Sequence, residues 1–228
     1  AGVEVDMQTV KEGLTPLIMA AELGLFHTVK ELISCDADPN IVSKNGKTAL
    51  SSAVVGGFAD ITRLLLQSGA DANHKIGREE LSPLMVACAE KRPDSTSGNA
   101  IAEVLKLLID HGANVNYQNK YGNSPLMFAV ISGDQDSVTV LMKASAKLDA
   151  KNAQGMTALM FAASRGFPRV IEALLSDFVP QSVKDSKDIY GNTAIRIAAE
   201  ASEKECVDSL IEYGADFRGL GLSISPEL

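Results

Sequence analysis

Short apolar runs recur along the chain, each opened by a Thr or Ser, then Pro or Ala, then an aliphatic residue. The six openings are Thr15-Pro16-Leu17, Thr48-Ala49-Leu50, Ser82-Pro83-Leu84, Ser124-Pro125-Leu126, Thr157-Ala158-Leu159 and Thr193-Ala194-Ile195. Their hydroxyl residues stand 33, 34, 42, 33 and 36 positions apart. Such regularity marks stacked repeat units, none of which buries its apolar face alone.

The segment from Asn45 to Asn73 shows what one unit contains. Thr48 is placed to cap a helix, and the Pro that follows the hydroxyl residue in other units suits the first helical position. Leu50 and Ala53 then share a face, and Gly57 ends this first helix. A second helix carries Ile61, Leu64, Leu65 and Leu66 as its apolar stripe and closes at Gly69. Gly69-Ala70-Asp71-Ala72-Asn73 turns the chain toward the next unit. Neither helix is long enough to be stable alone in water, so stacking must hold them.

Gly-x-Thr-Pro-Leu at Gly13 to Leu17, the small pairs Ala20-Ala21 and Ala162-Ala163, the Leu-Leu pairs, Gly112-Ala113-Asn114-Val115-Asn116 and Gly214-Ala215-Asp216 recur at fixed offsets. In these marks the chain resembles the ankyrin repeat family over residues 1 to 218. The resemblance implies an all-α solenoid: a curved stack of antiparallel helix pairs with hairpin-like loops projecting at a right angle. Six units are expected, starting near residues 13, 46, 80, 122, 155 and 191, followed by a tail over 219–228. Residues 1–12 read as the closing loop of an earlier, truncated repeat, because Gly2 precedes Thr15 by the 13 positions that separate Gly69 from Ser82. With no initial Met, the chain is expected to be a fragment of a larger multidomain protein. The polar second helix of the sixth unit, with Glu203, Lys204, Glu205, Asp208 and Glu212, suits a capping role.

The chain departs from the family at several points. Where the family commonly has His after the Thr-Pro-Leu triplet, this chain has Ile18, Ser51, Met85, Met127, Met160 and Arg196. The inter-loop hydrogen bond of that His is expected to be missing, replaced mostly by apolar contact, which makes for a softer array. Lys91 to Asn99 is a polar insertion expected to be a solvated loop, either a partner contact or a tolerated surface insertion. Phe178 to Val183 replaces the usual turn of the fifth unit, where a change of curvature or a local opening is expected.

Composition narrows the class. A chain of 228 residues with 46% hydrophobic content can bury a large core. Its net charge of -8 and lack of basic runs argue against nucleic acid as the main ligand. No apolar stretch approaches bilayer-spanning length, and no signal-peptide pattern opens the chain. Cys35, Cys88 and Cys206 are odd in number and dispersed, as for reduced thiols of the cytosol or nucleus.

Catalytic chemistry finds little to stand on. His27, His74 and His111 fall in different repeats and read as structural or surface residues, and no nucleophile, phosphate-loop or dinucleotide motif is present. Asp36-Ala37-Asp38-Pro39-Asn40 begins like a calcium loop, but Ile41 and Lys47 stand where Gly and Glu are required. The cysteines lack zinc spacing. No enzyme activity, cofactor or metal is expected.

The resemblance also implies where partners bind, in a concave groove made by first helices and loop tips. Matching loop-tip residues here include Lys44 and Lys47, then Lys75 and Arg78, then Lys120, Tyr121 and Asn123, then Lys151 and Met156, then Tyr190; Ile131 and Arg165 match on the inner helices. A Lys or Arg at nearly every tip, with Tyr121 and Tyr190 among them, either grips an extended acidic peptide with apolar anchors or merely solvates the turns. Phe128 and Phe161 are expected to pack inward. Asn40, Asn73 and Asn116, each with a Leu eight residues earlier, match the family's asparaginyl hydroxylation sites. The expected function is a monomeric scaffold or adaptor module of the cytoplasm or nucleus. Alternatives are the substrate receptor of a ubiquitin ligase and a targeting domain for an enzyme or channel.

Overall fold

The structure, a computed structural model, describes residues 4–89, 97–176 and 178–218, with the backbone alone for 97–99. It divides into two compact units, Ala1–Lys120 and Tyr121–Leu228. The first holds α1 (Pro16–Glu22), α2 (Phe26–Ser34), α3 (Ala49–Gly56), α4 (Ala59–Gln67), α5 (Pro83–Ala89) and α6 (Ser97–Asp110). The second holds α7 (Pro125–Ser132), α8 (Gln135–Lys143), α9 (Ala158–Ser164), α10 (Pro168–Leu175), the short α11 (Gln181–Lys184), α12 (Ala194–Glu200) and α13 (Lys204–Glu212). Among the described residues there is no strand, only an isolated antiparallel bridge between Ile76 and Leu81.

The first helices start where a hydroxyl meets a free amide. Thr15, Thr48, Ser124, Thr157 and Thr193 each accept a hydrogen bond from the backbone N–H three residues on. The residue after the triplet closes the same turn. Ser51 Oγ accepts from Thr48 N at 2.9 Å, and the sulfurs of Met127 and Met160 accept from Ser124 N at 3.4 Å and Thr157 N at 3.5 Å. These residues therefore do more than fill space: they complete a capping box, in two cases with a thioether as the acceptor. Arg196 is exposed and pairs with Glu200 at 2.9 Å.

In the first unit α1 packs on α2 and α3, α3 on α4 and α5, and α4 on α6, giving one row of first helices and one of second helices. The second unit repeats this order, α7 on α9 and α9 on α12 in one row, α8 on α10 and α10 on α13 in the other. Leu17, Leu50, Leu65, Leu84, Leu105 and Leu108 fill the first core, and Leu126, Met127, Leu141, Leu159, Leu174 and Leu210 the second. The turn between α1 and α2 requires glycine twice over. Gly24 has φ +69°, and a Cβ there would lie 2.6 Å from the Phe58 ring of the next pair.

The insertion expected over 91–99 lies mostly outside the described residues, but Ser97 to Asn99 form the first turn of α6 instead of loop. At Phe178 to Val183 the expected opening is not found. The short α11 starts there and ties the junction to the next turn: Gln181 Nε2 donates to Gly214 O at 2.9 Å, Lys184 Nζ to Tyr213 O at 2.7 Å, and Asp185 Oδ1 accepts from Asp216 N at 2.9 Å.

Candidate functional site

Loop tips are held by their own turn residues and by each other. Ser43 Oγ accepts from Lys47 N, Asn152 Oδ1 from Gln154 N and Met156 N, and Asp188 Oδ1 from Tyr190 N and Asn192 N. Burial pushes the Asp188 carboxyl up, but these amides outweigh it and hold it below the usual carboxylate range. Adjacent loops join through Lys44 N to Glu12 O at 3.0 Å, Ala153 N to Tyr121 O at 2.9 Å and Ile189 N to Gln154 O at 3.1 Å. The tips are thus rigid platforms.

Most lysines of the expected basic row are engaged inside the protein. Lys44 Nζ donates to Val10 O at 2.7 Å and Lys151 Nζ to Lys187 O at 2.8 Å, while Lys47 pairs with Glu22 at 3.1 Å. Lys75 pairs with Glu80 at 3.1 Å and sits 5.6 Å from the centre of the Tyr117 ring. The hydrogen bond from Lys75 is the main cause of the lowered Glu80 pKa, and the carboxylate in turn raises that of Lys75. Tyr117 completes the cluster, donating to Glu80 O at 3.0 Å. Lys120 is exposed, and Asn123 is half-buried, accepting from Asn152 Nδ2 at 3.0 Å.

Arg78 and Arg165 are exposed, and neither forms an ion pair among the described residues. Tyr190 is 79% exposed and Tyr121 43%, whereas Ile131 and Met156 are half-buried. Lys44 to Lys120 belong to the first unit, and Tyr121 to Tyr190 to the second.

The first unit also contains an apolar pocket of about 180 Å³. It is lined by Ser51, Ser52, Val55 and Gly56 of α3, by Val86 of α5, by the loop residue Ile76, and by Glu22 and Lys47. Among the described residues none of α2, α4 or α6 lines it. Ser52 is 5% exposed, yet its hydroxyl has no hydrogen-bond partner among the described residues.

A family model for ankyrin repeats matches residues 1–76, 17–97, 74–152 and 145–219. The chain belongs to the ankyrin repeat family. It is 26% identical over 226 residues to ankyrin repeat domain-containing protein SAT10 of Stachybotrys chartarum, covering 89% of this chain and 12% of that protein. It is 28% identical over 176 residues to ankyrin repeat domain-containing protein 63 of Mus musculus, covering 75% of this chain and 43% of that one. It therefore spans less than half the length of these relatives. The crystal structure of an ankyrin repeat domain from Acinetobacter baumannii superposes with a TM-score of 0.75 at 25% identity, covering 88% of this chain and 98% of that one.

Ankyrin repeats are in general protein-interaction modules, and in this ankyrin protein the residue four after each cap differs in exposure from repeat to repeat. These residues are Met19, Ser52, Val86, Phe128, Phe161 and Ile197. Phe128 and Phe161 are half-buried, not inward-packed as their aromatic character suggests, and Met19 is 44% exposed. The signal was available in the sequence. This offset and the one before it vary in character, between a Leu or Ile and an Ala that recur in every repeat. Sequence reasoning singled out Lys47 and Ser51 but missed Ser52, Ile76 and Val86, which reach the same pocket from three different segments.

Among the described residues no cluster of His, Cys, Asp and Glu could hold a metal ion, and no helix is long and apolar enough to cross a membrane. His111 Nδ1 lies 2.8 Å from Leu107 O at the end of α6. Burial, with help from Glu203 and Glu205, pushes the Cys206 thiol up to about 11, the opposite of an activated nucleophile.

Proposed function

We propose that this chain is a non-enzymatic scaffold or adaptor array of the cytosol or nucleus, which binds a partner protein or extended peptide on its first helices and loop tips. One observation carries the reading. Met19, Leu23 and Val55 on the first helices and Tyr121, Ile189 and Tyr190 on the loops stay 43–79% exposed in a protein whose repeat leucines are otherwise deeply buried. Stacking leaves much of each of these side chains in solvent. Rigid exposed aromatics are the residue type that dominates binding energy, and Tyr190 stands on a turn fixed by Asp188.

Because Lys44, Lys47, Lys75 and Lys151 hold internal partners, Arg78 and Arg165, which form no ion pair among the described residues, and the apolar side chains carry the recognition, with acidity in the partner a secondary feature. Capture from a lysate of expressing cells, beside a variant carrying Arg78→Ala, Tyr121→Ala, Arg165→Ala and Tyr190→Ala, tests this. Proteins lost only from the variant support it, and identical retention by the two baits contradicts it. Asn40, Asn73 and Asn116 are also proposed as hydroxylation sites: incubation with an asparaginyl hydroxylase adds oxygen to the intact mass, and no mass gain refutes the proposal.

A further inference from the structure

Resting on the reading above, we propose that the pocket of the first unit anchors one aliphatic side chain of an extended partner segment, with a single carboxylate of that segment held by Lys47 and Arg78. The apolar lining, Val55, Ile76 and Val86, comes from two consecutive repeats, and Glu22 of the repeat before them also lines the pocket, so it exists only in the stacked array. Its volume of about 180 Å³ suits one side chain rather than a cofactor.

Ser52 indicates that something polar belongs there as well. A mid-helix serine ordinarily returns its hydroxyl to the carbonyl four residues back. For Ser52 that carbonyl, Thr48 O, already accepts from Ser52 N at 3.1 Å and from Ser51 Oγ at 2.9 Å. The buried hydroxyl of Ser52 is left without a partner among the described residues, an unfavourable state that a backbone or side-chain polar atom of an incoming segment relieves.

Charge fixes the rest of the occupant. Lys47 and Glu22 form an ion pair about half exposed to solvent, a kind of contact that exchanges partners at little cost. Two residues beyond Ile76 on the same hairpin, Arg78 has no ion pair among the described residues. The two loops abut, since a Cβ on Gly46 would stand 2.8 Å from Gly77 N. Glu79 and Glu80 follow, Glu80 being held by Lys75, and these acids limit the preference to one carboxylate instead of an acidic run.

A displayed library of short random linear peptides selected on the intact chain tests the inference. Selected peptides are expected to share Leu, Ile or Met within a few residues of Asp or Glu and to shift the methyl resonances of Val55, Ile76 and Val86. They should bind about tenfold more weakly to Val55→Glu and to Arg78→Glu. Both substitutions fall on exposed side chains, and Ser52→Ala is expected to weaken binding by a smaller factor. Peptides without the aliphatic and acidic pair, peptides indifferent to both charged variants, or no selected peptide at all would overturn the pocket. Binding that maps to other first helices or loop tips overturns it while leaving the broader function standing. Binding on the second helices overturns both.

Discussion

Gln181 donates its side-chain amide to the carbonyl of Gly214 at 2.9 Å, as Asn40 does to Gly69 and Asn73 to Gly112 at the same distance in earlier repeats. Those asparagines also accept from the amide two residues after the glycine, at 2.8 Å from Asp71 N and Asn114 N. At the fifth junction one Asn is replaced by two residues, with Gln181 as donor and Asp185 as acceptor, themselves joined at 2.7 Å. Gln181→Ala is therefore expected to lower unfolding free energy by about 1 kcal/mol in urea titration. Combined with Asp185→Ala it should fall short of the sum of the single losses. Strict additivity would contradict a shared clip.

Asn73→Ala removes both the donor and the acceptor at once, and we expect a loss of about 1–2 kcal/mol at this exposed site. Asn73→Asp keeps the acceptor and should cost less. Equal costs for the two would mean that the amide donor contributes nothing.

Gly24→Ala places a methyl group against the Phe58 ring at a backbone of φ +69°, and about 2 kcal/mol of destabilisation is expected. Adding Phe58→Leu should recover part of that loss by clearing the ring. No recovery would assign the whole cost to the backbone.

The three cysteines differ in access. Cys35 is exposed, whereas Cys88 and Cys206 are buried. One thiol should react promptly with a disulfide reagent at mildly alkaline pH and two only on unfolding. Because folding raises the Cys206 value to about 11, the folded state binds this proton more tightly. Its contribution to stability is complete below the ordinary thiol range and is lost as pH rises toward that value. Cys206→Ala should flatten this alkaline fall, and an unchanged profile would contradict the assignment.

The helix starts were legible because Thr or Ser with a following Pro or Ala is local chemistry, settled within one turn. The partners of the lysines were not, because Lys44 reaches Val10 and Lys151 reaches Lys187 across about one repeat, a distance that spacing does not encode. Phe128 and Phe161 read as core because an aromatic on a short apolar helix looks buried, and only packing shows which side it faces. Met127 and Met160 read as gap fillers, and their role as cap acceptors depends on where each sulfur comes to rest. The pocket around Ser52 escaped notice for a related reason: its lining runs from Glu22 to Val86 across separate segments, and a lone serine gives no sign that its usual acceptor is already occupied.

The central claim is that recognition uses the first helices and loop tips. Amide hydrogen exchange of the intact chain, alone and saturated with the protein it retains most strongly from lysate, tests it most directly. Added protection over 44–47, 74–81, α3 and the 188–192 turn is the predicted result. Protection confined to α2, α4, α6, α8, α10 or α13 would contradict it.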